Sequence, residues 1–492
     1  MKVAFFVGLL ASATSAAGQF TPDPTVLRSI QAEGMERSGV MEIARMLTDV
    51  YGPRLTGSPL NEAAGRYAMG LLSDWGLENV RAEPFQFDRP AWMNERYYVQ
   101  VREPAPFPVL GMASPWSPGT DSLITAEAAL AHGVTAADTI DLKGRLRGKA
   151  VLITAPFEGH QLHPPPSVVL TPDLLDEMKE RNSNAYVLRT GLLVEPNVRR
   201  APDPDAGRPL GSRVLADFLE RERVAAVLGS YGGSGGNFSV GATVNPNLVT
   251  ISVAPEHYSR IYRTVESGLR TEVEIDIRNS ISAGPARPFN VLGDLPGIAA
   301  AEPLVLIGAH IDSDPAGTGA TDNAAGVAVM LEAVRILAEA RVPLRRPVRI
   351  GLWNGEEHGM LGSLAHAEQS APYHAAFNLD TGGGLIRAID TNKLHAAEPI
   401  LERWIGALAH LELPLTHVLS IGSNPSDDSI FARTGPSFYF HQDPLDYYRG
   451  THHTSQDLYD RLVPENLRTN AIIVAALVYL AANDPVAFTP AR

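Results

Sequence analysis

From residue 290 onward the chain alternates short apolar runs with helical stretches, and that alternation constrains its fold more than any other feature. The run Leu304-Val305-Leu306-Ile307-Gly308-Ala309 is followed by a helical pattern over 324–340, and that by a second apolar run over 347–353. Strand, helix and strand in succession predict an α/β architecture: a mostly parallel-centred mixed sheet flanked by helices. Ligands of such sheets gather at the carboxyl ends of the strands, where loops begin. The unusual polar residues of this chain fall at those ends.

The first run ends in His310, with Asp312 two residues on, where it shares a face with the histidine in an extended segment and can orient the ring. Asp322 opens the following helical stretch, where an acid alone would serve as an N-cap. The Gly- and acid-rich loop before it leaves room for an ion. The second run ends in Asn354-Gly355-Glu356-Glu357-His358. Two adjacent carboxylates after a buried strand repel one another unless a cation meets them. One of the pair can then bind metal while the other takes a proton from water. A third run, Ala376-Phe377-Asn378-Leu379, ends in Asp380, and Thr451-His452-His453-Thr454 follows a fourth at Ser437-Phe438-Tyr439-Phe440. Spacing alone does not divide the roles of Glu356 and Glu357, or of His452 and His453.

The remaining sequence bounds what this chemistry can be. With 492 residues the chain is too long for one ordinary core, so two packed units are expected. The absence of cysteine excludes disulfides, thiolate metal sites and cysteine nucleophiles, leaving His and carboxylate as metal ligands. With 41 Lys and Arg against 55 Asp and Glu the net charge is -14, which argues against nucleic acid or an anionic membrane as partner. Lys2, an apolar run over 3–10 and small residues ending near Ala17 read as a secretory signal peptide, so an exported protein, periplasmic or secreted, is expected. Residues 22–77 carry a helical pattern broken by a Gly- and Pro-marked loop over 51–59. Between about 118 and 282 the sequence turns to short β-rich runs such as Ala150-Val151-Leu152-Ile153, separated by Pro- and Gly-rich stretches over 202–209 and 231–236. These shifts suggest a leader over 1–17, a first part of the α/β domain over 18–117, an inserted β-rich unit over 118–282 and the rest of the α/β domain over 283–492.

Taken together, His310-x-Asp312, Asp322-Asn323, Glu356-Glu357, Asp380 and His453-Thr454-x-x-Asp457 resemble the motifs of the M28 family of co-catalytic zinc peptidases, and its carboxypeptidase Q-like members in particular. The resemblance covers residues 51–110 and 290–485. The middle unit resembles the protease-associated domain often inserted in that family, most clearly at Leu146-Arg147-Gly148-Lys149-Ala150-Val151-Leu152-Ile153. It implies an aminopeptidase or dipeptidase with two Zn²⁺ ions, acting on peptide substrates. His310 and Glu357 are implied as ligands of one zinc, Asp380 and His453 of the other, Asp322 as the bridge, and Glu356 as general base. Asp312, which orients the His310 ring, is counted with Glu356 among the catalytic residues. The chain departs from the family pattern at Thr321, where an acid is common, and at Asp428, where His is common. A receptor that has lost its metals and a single-zinc glutaminyl cyclase are the competing readings; oligomeric state is open, a homodimer among the options.

Overall fold

The computed structural model describes residues 20–157, 167–183, 210–233, 235–422, 426–486 and 488. The leader expected over 1–17 and the loop over 202–209 lie outside the described residues. Two eight-stranded mixed sheets form the molecule. The first has the strand order Glu78–Pro84, Phe289–Leu295, Val348–Trp353, Val305–His310, Ala375–Asn378, Ser437–Gln442, Ile386–Asp390, His417–Leu419. Its four central strands, Val348–Trp353 through Ser437–Gln442, run parallel, and antiparallel pairs flank them. The mostly parallel-centred sheet expected from the alternation is therefore present. Val305–His310 is buried at every position, which is why it reads as a continuous apolar run: helices cover both faces of a parallel sheet.

The main core joins this sheet to the helices Pro24–Glu36, Val40–Arg45, Ala325–Glu339 and Pro464–Asn483. Ala325–Glu339 is buried on nearly every side, because it is packed by both other helices and sheet. Helix Pro59–Asp74 begins where Ser58 accepts the Asn61 amide at 3.1 Å and Pro59 supplies a preset φ. Among the described residues no helix is long and apolar enough to cross a membrane.

The second sheet draws its strands from residues 90–285, in the order Phe107–Pro108, Pro90–Glu103, Glu272–Pro285, Ile124–Leu130, Ala150–Leu152, Ala226–Gly229, Thr250–Val253, Gly111–Ala113. The middle of the chain also forms the helices Pro172–Arg181, Ser212–Glu222 and Pro255–Glu266, which its β-rich reading left out. Their signal was present but short: Tyr258, Ile261 and Tyr262 are buried at helical spacing on an otherwise polar segment. Helix Pro172–Arg181 leans on the first sheet instead, where Leu175 and Met178 pack with Ala388, Leu419 and Ile421.

His374, at the entry to strand Ala375–Asn378, is buried with its ring 5.3 Å from that of Phe488. Burial, reinforced by Arg346, holds its imidazole down at about 4 against an ordinary 6.5. The unfolded chain therefore takes up this proton first as pH falls, so the contribution is complete above about 6.5 and is lost towards 4. At ~1.4 kcal/mol per pKa unit the loss is about 3 kcal/mol. His374→Phe should flatten the fall of unfolding free energy between pH 7 and 4.5; an unchanged slope in denaturant titrations would refute the assignment.

Candidate metal centre

Four strand ends build the site. Gly308 pairs with Asn378 on the neighbouring parallel strand, so two residues further on His310 and Asp380 stand level at the sheet edge. The loop after His310 returns through Gly319, whose φ of +66° and 2.3 Å approach of an added Cβ to Ser313 admit only glycine. It delivers Asp322, in extended backbone with φ -131°, to the start of helix Ala325–Glu339. Strand Val348–Trp353 turns at Gly355, φ +80°, into the single helical turn Glu356–His358. The irregular segment after Ser437–Gln442 brings His452 and His453 across from the far side.

Asp322 is the centre of the arrangement. Its Oδ1 lies 3.1 Å from His310 Nε2, which is also 3.2 Å from Asp380 Oδ1. Its Oδ2 lies 3.2 Å from His453 Nε2, which is 2.9 Å from Glu357 Oε2. Three overlapping donor groups result among the described residues: His310 with Asp322 and Asp380, His453 with Glu357 and Asp314, and Asp322 with His452 and His453, so that Asp322 and His453 link the first two. Within each of the groups that could hold a cation, the ligand atoms lie within 4.8 Å of one another. Imidazole nitrogens with carboxylate oxygens in that density suit a borderline divalent cation.

The surroundings hold these donors in place. His310 Nδ1 lies 3.1 Å from the Asp312 carbonyl oxygen and 3.6 Å from its carboxylate, which fixes the ring. The Asp312 carboxylate accepts Thr56 Oγ1 at 2.6 Å and the Glu356 amide at 3.2 Å, tying the Glu356-Glu357 turn to the His310 loop. Ser426 donates to Asp380 Oδ2 at 2.6 Å, and the Tyr439 hydroxyl to the Asp380 carbonyl at 3.1 Å. Asp457 accepts the amides of Thr321 and Asp322 at 2.6 and 3.1 Å, and the Thr321 hydroxyl at 2.7 Å. A hydroxyl at 321 therefore bonds to an acid supplied from the loop opposite.

Crowding of acids inside the protein sets the protonation states. Burial, with Asp380, Asp427 and Glu357 adding to it and His310 opposing, pushes the Glu356 carboxyl up to about 10. Burial and then Asp322 push Glu357 up to about 8. Burial raises Asp427 and Asp457 to about 7 each. Asp322 goes the other way: burial opposes its charge, but bonds to His310 and His453 outweigh it and hold the carboxyl well below the usual range. Burial pulls His453 down, yet Asp322 and Glu357 win and push it up to about 12. The site demands positive charge.

All seven residues singled out from the sequence, His310, Asp312, Asp322, Glu356, Glu357, Asp380 and His453, converge here. Their grouping differs from the one implied by the resemblance. His310 is beside Asp380, not Glu357, and His453 is beside Glu357, not Asp380. The reason is register: Asp380 is level with His310, whereas Glu357 lies four residues past Trp353, the in-register partner of His310, and so reaches outward to the His453 loop. His452 stacks on His453 at 3.9 Å and its Nε2 is 3.6 Å from Asp322, so both histidines adjoin the centre, and His453 alone of the two also meets Glu357. Asp428 is turned towards Asn392, which donates to it at 2.7 Å.

Sequence reasoning missed Asp314, whose signal was the acid-rich loop before Asp322, and Thr56 and Arg54, for which no local signal exists. Arg54 is fully buried beneath the site and donates to the carbonyls of Leu47, Ile311, Thr318 and Gly319, each at 2.8 Å. Its charge faces Asp457, Asp312, Asp322 and Glu357, and burial still pulls it down to about 10. Arg54→Met should cost about 3–5 kcal/mol by orphaning buried carbonyls and removing a counter-charge. Chemical denaturation reads this; a loss under about 1 kcal/mol would show the guanidinium to be dispensable.

His and carboxylate donors gathered at the strand ends of an α/β sheet suit a metal-dependent hydrolase, and the similarities to known proteins support a metallopeptidase. Residues 290–478 match the model of Peptidase family M28. Carboxypeptidase Q of Bos taurus is 25% identical over 458 residues, covering 92% of this chain and 86% of the bovine one, and that of Homo sapiens is 24% identical over the same span. Among solved structures, a peptidase M28 precursor from Shewanella amazonensis shares the fold with a TM-score of 0.65, at 22% identity, covering 95% of this chain and 98% of its own. BSAP, a zinc aminopeptidase from Bacillus subtilis, does so with a TM-score of 0.56, at 18% identity, covering 92% and 96%. The activity supported is that of an exopeptidase.

Proposed function

We propose that the chain is an exported di-zinc exopeptidase that removes residues from short peptides, as an aminopeptidase or dipeptidase. Its ligands are His310 and Asp380 on one side, His453 and Glu357 on the other, and Asp322 between them. The observation that carries the proposal is the division of Asp322, one oxygen 3.1 Å from His310 and the other 3.2 Å from His453. Carboxypeptidase Q as the relative along nearly the whole chain, and a zinc aminopeptidase among the folds it shares, support the substrate class and the metal.

When bound, two Zn²⁺ ions supply Lewis acidity, an acidified water, and the charge that returns Glu356 and Glu357 to carboxylates. Glu356 takes the proton of the attacking water on a carboxylate oxygen and hands it to the leaving amine. Asp312 positions both His310 and the Glu356 amide and itself transfers no proton. Export rests on the leader read over 1–17, and the second unit is read as an inserted protease-associated domain.

A panel of dipeptides and longer peptides, each with a free and a blocked amino terminus, tests the substrate reading. Release of free amino acids from unblocked peptides, stopped by a chelator and restored by Zn²⁺, is expected. Equal cleavage of blocked peptides would point to carboxy-directed hydrolysis instead.

A further inference from the structure

The loop that carries His453 is held from two sides, and one of them is the second unit. His453 has φ +55°, a left-handed conformation that a residue with a Cβ keeps only when its surroundings impose it. On the first side, Thr321 Oγ1 lies 2.8 Å from Thr451 Oγ1 and Asp457 caps the amides of Thr321 and Asp322. On the other, Asn237 Nδ2 donates to the Gly450 carbonyl at 3.0 Å, the Ser455 amide to the Phe238 carbonyl at 2.8 Å, and the Phe238 amide to Ser455 Oγ at 3.2 Å. Ser455 Oγ in turn donates to the Gly236 carbonyl at 3.3 Å. These bonds bracket His453, three residues before it and two after. Phe238 anchors the bracket, buried at 4% exposure with Val240 and Ala254 and packed against Ala316 of the loop that delivers Asp322.

We infer that residues 236–238 of the second unit are a positioning segment for His453, so that the group of His453, Glu357 and Asp322 is completed across the two units. The inference rests on reading these residues as metal ligands. The second unit then has a part in metal binding as well as any part in shaping substrate access: a displacement of 236–238 releases His453 and leaves His310 and Asp380 where they are.

The test is calorimetric titration of the full chain, stripped by chelator, with Zn²⁺ alone. Asn237→Ala and Ser455→Ala should each weaken one zinc equivalent by about 10–100-fold and leave the other unchanged, as loss of outer hydrogen bonds to a ligand does. Ser455→Thr, which keeps the hydroxyl, should restore it. Asn94→Ala removes a side-chain bond to Asn279 of 2.7 Å within the second unit, away from this contact, and should leave both equivalents intact. Wild-type affinity for both equivalents in Asn237→Ala and Ser455→Ala would overturn the inference, as would equal weakening of both equivalents in these variants and in Asn94→Ala. A wild-type chain that takes up no zinc would instead remove the proposed function on which the inference stands.

Discussion

Glu356→Gln is expected to lower turnover of a good dipeptide by about 10²–10⁴-fold while the chain still binds its metal. The substitution keeps shape and keeps the backbone amide that bonds to Asp312, so the turn carrying Glu357 is preserved. What it removes is an oxygen able to take a proton. Glu356 suits that role because its hydrogen-bonded neighbours do not consume its carboxylate: among the described contacts its amide, not its side chain, meets Asp312. Without a cation its environment holds it protonated, up to about 10, so the role as base requires the positive charge of bound metal to return it to a carboxylate. Turnover within about tenfold of the parent, with metal content unchanged, would move the base elsewhere.

Asp322→Asn should have the second large effect, and on binding more than on chemistry. This residue links the donor groups, and an amide offers one carbonyl oxygen where the carboxylate offers two charged ones. Zinc affinity is expected to fall by at least about 100-fold for one equivalent or both, with peptidase activity falling alongside. In the metal-free chain the same change removes the anion that faces His310 and His453, so the melting temperature should fall as well. Two equivalents bound at the parent's affinity would contradict the bridging role.

Much of the centre was legible in the sequence because its donors sit where apolar strands give way to loops. His310, Glu356-Glu357 and Asp380 each follow a buried run, and a carboxylate there stands out against its surroundings. How the donors divide was not legible, since it depends on the register of Gly308 against Asn378 and on how far the Glu356-Glu357 turn extends past Trp353. Neither follows from spacing within one strand. Thr56 and Arg54 were unreadable for a different reason: they lie in an irregular loop and act only through atoms distant in sequence, Asp312 and the carbonyls of 311–319. The mixed, parallel-centred sheet followed from the alternation of runs after residue 290. The helices of the second unit did not, because Pro and Gly around them dominated the local pattern.

The central claim is that this crowd of acids and imidazoles exists to hold two divalent cations. The direct measurement is the zinc content of the full chain after stripping with chelator and refilling with Zn²⁺, read by elemental analysis against protein concentration. Two equivalents per chain, with activity returning as they are taken up, is the result predicted here. One equivalent would match a single-zinc cyclase, and none a receptor; either result would contradict the account.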